Sequence, residues 1–135
     1  MPPRGTPSTW LRRGWGVKFR DLGRRNGEYS RGLIVVNDRR RTGFTQRITL
    51  AHEIGHATHD HAWTDDPTVH ARQEREADVV AAHLLIRADD VAYAEQLVGE
   101  HPGAIAKELG VTPAYVELWR ATYMQPSVRR HLRAV

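Results

Sequence analysis

The sequence contains no cysteine, and Lys18 and Lys107 are its only lysines. Without cysteine, disulfide bonds and thiolate-bound zinc are excluded, so any metal ligand must come from His, Asp or Glu. The absence of disulfides is also typical of cytoplasmic proteins, and we expect this location. Long apolar runs are absent too. The longest, around residues 79–86, is too short and interrupted to span a bilayer, and residues 1–9 contain no apolar signal segment. The sequence therefore predicts neither a membrane protein nor a secreted one.

Arginine carries the net charge of +4. A basic balance is compatible with nucleic acid or with an acidic protein partner. Most of the arginines lie in terminal and loop-like segments, so a solvated basic surface is favoured over a dedicated nucleic-acid interface. The length of 135 residues predicts one domain spanning 1–135. Its Pro- and Gly-bearing start, residues 1–14, is expected to be flexible.

Hydrophobic patterning predicts a short N-terminal sheet followed by helices. Residues 16–19 and 32–36 read as strands, and the polar stretch 22–30 between them reads as a loop or hairpin. A helical stripe begins near Thr45. Asp66 and Pro67 are typical of a second helix start, as N-cap and first helical residue. The predicted helices are 45–61, 67–87, 90–99, 103–109 and 113–124. The expected fold class is α+β.

The most informative segment is residues 50–56, Leu-Ala-His-Glu-Ile-Gly-His. His52 and His56 are four residues apart, so on a helix both imidazoles can face one metal ion. Glu53 lies beside that pair, within reach of a water molecule near the metal. Two neutral nitrogen ligands, an open position and a carboxylate base are what metal-assisted peptide hydrolysis needs. His52 and His56 are thus candidate zinc ligands and Glu53 the candidate catalytic base.

A catalytic zinc ion usually takes a third protein ligand, and the next helix offers two carboxylates. Glu74 and Asp78 are also four residues apart and can face the same way. One of them could bind the metal while the other accepts a ring N–H from a histidine ligand. Glu76 falls on another side of the helix and is expected to face solvent. Simple solvation of Glu74 and Asp78, with Arg72 or Arg75 as partners, is the alternative.

Further histidines follow the motif, namely His59, His61 and His70, near Asp60, Asp65 and Asp66. They could form a second metal site or assist the oxyanion, but solvated loop groups are the more usual outcome. His83 lies among apolar residues of the second helix, where a hydrogen-bonded core histidine is the expected role. Tyr29 and His83 are the only candidates that we can name for stabilising an oxyanion.

The motif and the helix after it together resemble a known family, the ImmA/IrrE metallo-endopeptidases. The likeness rests on residues 46–56, Gln-Arg-Ile-Thr-Leu-Ala-His-Glu-Ile-Gly-His, and on residues 74–85, Glu-Arg-Glu-Ala-Asp-Val-Val-Ala-Ala-His-Leu-Leu. A strand at 32–36 stands where that family has one before its active-site helix. One departure is Ile86-Arg87, where the family commonly continues with Met-Pro.

The resemblance implies a small zincin-like, gluzincin-type domain with a Zn²⁺ ion held by two histidines and a glutamate. In this chain those residues match His52, His56 and Glu74, with Asp78 supporting a ligand histidine and Glu53 as base. It further implies cleavage of a protein substrate in the cytoplasm, typically a helix-turn-helix transcriptional repressor.

Residues 103–125 look like a helix-turn-helix fragment. The second helix of this fragment carries Tyr115, Glu117, Trp119 and only Arg120, which is poor for contacts with phosphates or bases. We therefore expect this end to pack on the catalytic core. Two alternatives to a zinc peptidase are a non-enzymatic DNA-binding regulator and a zinc-stabilised protein-interaction module. A nucleic-acid partner is not favoured, and the sequence does not indicate an oligomeric state.

Overall fold

A computed structural model describes residues 7–12 and 14–125. In this part of the chain, three strands precede five consecutive helices, and a short helix comes before the sheet. In chain order the elements are α1 (Pro7–Trp10), β1 (Gly16–Arg20), β2 (Gly27–Ser30), β3 (Leu33–Asn37), α2 (Gly43–Thr58), α3 (Pro67–Leu85), α4 (Ala88–Val98), α5 (Pro102–Leu109) and α6 (Pro113–Thr122). The α+β class and the predicted order of a sheet followed by helices are confirmed.

The sheet has the strand order β1-β3-β2, with β3 in the centre. β3 pairs in parallel with β1, where Val17 lies opposite Ile34, and antiparallel with β2, where Tyr29 lies opposite Ile34. As expected for a continuous apolar strand, Ile34, Val35 and Val36 are fully buried. The sequence predicts β2 only as part of a loop or hairpin, because Gly-Glu-Tyr-Ser carries no apolar alternation. Pairing with β3 makes it a strand.

Side-chain caps fix where the two central helices begin. Thr42 caps α2 by accepting a hydrogen bond from the backbone N–H of Thr45 at 3.1 Å. Asp66 caps α3 by accepting from the N–H of Thr68 at 2.9 Å, with Pro67 as the first helical residue. The Asp66–Pro67 start signal is therefore confirmed. The predicted end of α5 at residue 109 is confirmed, and the other helix ends differ from the predicted ones by one to three residues.

The helices α2 and α3 pack at very close range through Gly55. A Cβ atom added there would lie 2.3 Å from the carbonyl oxygen of Ala77, so only glycine permits this backbone contact. Leu50 and Ile54 of α2 join Ile34, Val36 and Ala81 in the core. The close crossing places the polar side of α2 next to the polar side of α3.

The last two helices pack inward. Val116 and Trp119 of α6 belong to the buried core, as does Ile105 of α5. Gly110 ends α5 in the left-handed conformation at φ 70°. Of residues 1–14, which are predicted to be flexible, 1–6 and 13 lie outside the described residues. Pro7–Trp10 form α1, with Trp10 only 4% exposed.

Candidate metal centre

His52 and His56 lie one turn apart on α2, and their rings converge. Their Nε2 atoms are 3.0 Å apart, and the two side chains are 20% and 13% exposed. The helical spacing of four residues therefore produces the juxtaposition that the sequence predicts.

Glu74 on α3 completes a set of three donor groups. Its Oε2 lies 2.9 Å from Nε2 of His52, and its Oε1 lies 3.4 Å from Nε2 of His56. One donor atom from each residue falls within 4.8 Å of the others. Two imidazoles and one carboxylate are a usual donor set for a catalytic divalent ion that keeps a further position open.

Asp78 fixes the orientation of His52. Nδ1 of His52 lies 2.8 Å from Oδ1 of Asp78. Burial alone would raise the pKa of Asp78, but the hydrogen bond and charge of His52 outweigh it and hold the pKa below its usual value. An ionised carboxylate only accepts hydrogen bonds, so Nδ1 of His52 carries the proton. In the neutral ring, Nε2 of His52 then carries the lone pair and faces Glu74 and His56.

This arrangement fits a bound cation. In neutral His52 the Nε2 lone pair faces the Glu74 carboxylate, and two acceptors in contact repel unless a proton or a metal ion lies between them. Burial alone would lower the pKa of His52, but the hydrogen bond and charge of Asp78, with the charges of Glu53 and Glu74, raise it overall. Burial and the charge of His52 lower the pKa of His56 to about 4. The site thus favours one cation, and its donors suit a metal ion.

Glu53 is the buried carboxylate of the centre. Its side chain is turned toward β2, and the residue is only 6% exposed. Burial raises the pKa of Glu53 to about 7, although the charge of His52 acts in the opposite direction. Gly27 of β2 makes room for it, since a Cβ atom there would lie 3.0 Å from Cγ of Glu53. A carboxyl group with such a pKa can take up and release a proton near neutral pH.

The prediction that Glu76 faces solvent holds only in part: its side chain is 37% exposed, but its carboxylate also contacts two histidines. Oε1 of Glu76 lies 3.2 Å from Nε2 of His61, and Oε2 lies 3.5 Å from Nδ1 of His59. A helical wheel places Glu76 away from Asp78, but it cannot show that the loop after α2 covers that side. His59 and His61 are likewise not solvated loop groups, since their side chains are 12% and 10% exposed. His70, by contrast, is 63% exposed.

The two candidates for oxyanion stabilisation have other hydrogen-bond partners. The Tyr29 hydroxyl donates to Oδ1 of Asp60 at 2.6 Å and accepts from the N–H of Gly32 at 3.0 Å. Nε2 of His83 bonds to Oγ1 of Thr122 at 2.8 Å. His83 is therefore the hydrogen-bonded histidine that the sequence predicts.

Sequence reasoning missed Tyr115 as a member of this centre. The Tyr115 hydroxyl donates to Oδ1 of Asp78 at 3.1 Å, the same oxygen that accepts from His52. Burial, the charge of Asp78 and this hydrogen bond raise the pKa of Tyr115, so its hydroxyl stays a donor. The packing of α6 on α3 brings Tyr115 and Asp78 together, and no local sequence pattern predicts this contact.

An open groove of about 1040 Å³ passes over the centre. Glu53 and His56 lie on its floor, the strand β2 forms one wall, and the loop around Trp63 forms the other. Trp63 is 86% exposed and presents its ring to this space.

None of the helices in the described ranges 7–12 and 14–125 has the length and apolar character that crossing a membrane requires.

Comparison with known proteins assigns the family. A comparison with curated proteins gives no match. The profile of the Peptidase_M78 family, described as the IrrE N-terminal-like domain, matches residues 12–118. This match spans the sheet, α2 with His52 and His56, α3 with Glu74 and Asp78, and most of α6. The chain therefore belongs to the IrrE N-terminal-like peptidase family.

Proposed function

We propose that this chain is a zinc-dependent endopeptidase that hydrolyses a peptide bond in a cytoplasmic regulatory protein. The observation that carries the proposal is the convergence of His52, His56 and Glu74 beside the buried carboxyl group of Glu53. Membership of a peptidase family supports the reaction class.

His52, His56 and Glu74 are the proposed metal ligands, and zinc is the ion that we propose. Two imidazoles and one carboxylate with an open position are typical of catalytic zinc. When bound, the ion supplies Lewis acidity, which lowers the pKa of a water molecule and polarises the scissile carbonyl group. Asp78 holds the proton of His52 on Nδ1 and so keeps Nε2 available as a ligand.

Glu53 is the proposed general base. It accepts a proton from the attacking water and later delivers it to the leaving amine. Its pKa is about 7 without a metal ion, and a cation bound beside it would favour the carboxylate, which is the form that accepts a proton from water. Its burial at 6% exposure also restricts competing contacts with bulk water.

The groove and the strand β2 suggest how a peptide binds. In the described sheet β2 is an edge strand, since its single neighbour is β3. An extended peptide can add to a free strand edge through main-chain hydrogen bonds. Gly27 allows β2 to lie against Glu53, so a peptide along this edge would pass over the proposed metal centre.

A helix-turn-helix transcriptional repressor is the substrate class that we propose. The support for it is the resemblance of residues 46–56 and 74–85 to the ImmA/IrrE metallo-endopeptidases. DNA binding by the chain itself is less favoured, because Trp119 of α6 is buried at 7% exposure and Tyr115 bonds to Asp78. Those side chains are occupied in packing rather than presented to a groove of DNA.

The test is the change of Glu53 to Gln in the zinc-loaded protein. The amide keeps the shape of the side chain but cannot accept the proton, so cleavage of a repressor or of an unstructured peptide library should fall by at least about 100-fold. Zinc content, measured by elemental analysis, should stay unchanged. Glu117→Gln makes the same chemical change at an exposed position of α6 and should retain full activity. Undiminished cleavage by Glu53→Gln would refute the assigned role.

A further inference from the structure

A second group of potential ligands lies beside the proposed catalytic centre. His59 caps the end of α2, and His61 follows two residues later, after Asp60 has turned the chain with a φ of 48°. The backbone N–H of His61 donates to the carbonyl oxygen of His56 at 3.0 Å, which holds the turn against the helix. Glu76 approaches both rings from α3.

The distances in this group suit shared ligation of a metal ion. Nε2 of His61 lies 3.2 Å from Oε1 of Glu76, and Nδ1 of His59 lies 3.5 Å from Oε2. Two ligands of a tetrahedral zinc ion stand about 3.3 Å apart, since each bond is about 2.0–2.1 Å long. The separation of 3.5 Å is longer than a usual N–H···O hydrogen bond.

Burial also favours a site over a solvated cluster. The side chains of His59 and His61 are 12% and 10% exposed, and their rings stack with an interplanar angle of 6°. One donor atom from each of these two histidines and from Glu76 lies within 4.8 Å of the others. Two imidazoles and one carboxylate select a divalent ion of the zinc, cobalt and nickel type over calcium or magnesium.

We propose that His59, His61 and Glu76 form a second binding site for such a divalent transition-metal ion, and that its occupation opposes occupation of the first site. The existence of this second site does not depend on the peptidase activity. Its coupling to the first site rests on the proposed function, because it requires His56 to be a metal ligand there.

The coupling follows from one shared hydrogen bond. Nδ1 of His56 lies 2.9 Å from Nδ1 of His61. A neutral imidazole carries one N–H and one lone pair, so a ring that binds metal through Nε2 has its proton on Nδ1.

With an ion at the first site only, His56 donates to Nδ1 of His61, and Nε2–H of His61 donates to Glu76. With ions at both sites, both Nδ1 atoms carry protons and their hydrogen bond is lost. The second ion must therefore bind more weakly when the first is present.

The experiment counts zinc ions bound by the full chain and measures each affinity with zinc alone against a competing chelator. We expect wild type to bind two ions, and His59→Ala and His52→Ala to bind one each. The second ion should bind to wild type at least about tenfold more weakly than the single ion binds to His52→Ala, where the first site is broken. That factor corresponds to about 1.4 kcal/mol, within the usual range for one lost buried hydrogen bond.

Glu117→Ala is the control, since Glu117 is exposed on α6 and outside both groups of ligands, and it should bind two ions. Circular dichroism checks that each variant is folded. If His59→Ala does not fold, Glu76→Gln replaces it, because the amide keeps an oxygen for His61 while removing the charged ligand. Two ions in a folded Glu76→Gln or His59→Ala would overturn the second site.

The coupling would be overturned if the second ion bound to wild type as tightly as the single ion binds to His52→Ala. Because different variants remove the two sites, failure of the second site is distinguishable from failure of the proposed catalytic centre. If only the second site is absent, wild type and His59→Ala each bind one ion and His52→Ala binds none. If only the proposed catalytic centre is absent, wild type and His52→Ala bind the same number of ions.

Discussion

Replacing Gly55 by alanine should separate the two helices that carry the proposed metal ligands. The added Cβ atom would lie 2.3 Å from the carbonyl oxygen and 2.6 Å from the Cα atom of Ala77, whereas ordinary contact begins near 3.4 Å. Both neighbours are backbone atoms, so no side chain can rotate away. The helices α2 and α3 must therefore move apart by about 1 Å, because packed interiors leave no free space to absorb the methyl group.

The size of the effect follows from packing energetics. Overpacking a core costs about 1–3 kcal/mol, and a clash with backbone belongs at the upper end of that range. Alanine regains about 0.5–1 kcal/mol of helix propensity relative to glycine. We therefore expect the free energy of unfolding of Gly55→Ala to fall by about 2 kcal/mol.

Metal affinity should fall as well, since His52 and His56 lie on α2 while Glu74 lies on α3. A displacement of about 1 Å greatly exceeds the tolerance of about 0.2 Å in metal–ligand distances.

The assay is urea denaturation of metal-free protein, followed by zinc titration of the folded variant. Gly43→Ala is the matched control, because it introduces the same methyl group into the same helix and has no atom within 4 Å. Its stability should be unchanged or higher by up to about 1 kcal/mol. If Gly55→Ala is as stable as Gly43→Ala and binds zinc equally well, the close contact of α2 with α3 does not position the ligands.

Three further changes test other contacts. Tyr115→Phe removes one hydrogen bond to Asp78 and should weaken zinc binding in a zinc titration. The loss of affinity should be smaller than the roughly 10–100-fold loss expected for Asp78→Ala. Burial lowers the pKa of His83 to about 4, so between pH 6.5 and 4 the unfolded chain binds a proton that the folded chain does not. On acidification through this range, wild type should lose about 1 kcal/mol more stability than His83→Gln, after allowance for partial exposure. The comparison is needed because the lowered pKa of His56 contributes to the loss in both proteins. Thr112→Ala removes the N-cap of α6 and should lower the free energy of unfolding by about 1 kcal/mol in urea denaturation.

The features that could be predicted from sequence are those set by local geometry. His52 and His56, and likewise Glu74 and Asp78, share a helix face because they are four residues apart. The need for a third ligand and the family resemblance predict that the pair on α2 and the pair on α3 lie close together. The start of α3 at Asp66 and Pro67 and the end of α5 at Gly110 follow from capping preferences that act over a few residues.

The features that sequence did not reveal depend on contacts between distant segments. β2 is a strand only because β3 offers hydrogen bonds to it. Glu76 is partly covered by His59 and His61 because a left-handed turn at Asp60 folds the loop back. Tyr115 reaches Asp78 across 37 residues of chain. Periodicity describes which residues share a face, but it does not show which segment covers that face.

The most direct measurement is the zinc content of the purified chain with and without Glu74. It is best made in a His59→Ala background, so that only the proposed catalytic centre is counted. The account predicts one zinc ion per His59→Ala chain and none when Glu74→Ala is added, whereas adding Glu117→Ala at an exposed position changes nothing. Failure of His59→Ala to bind zinc, or retention of the ion with unchanged affinity after loss of Glu74, would contradict it.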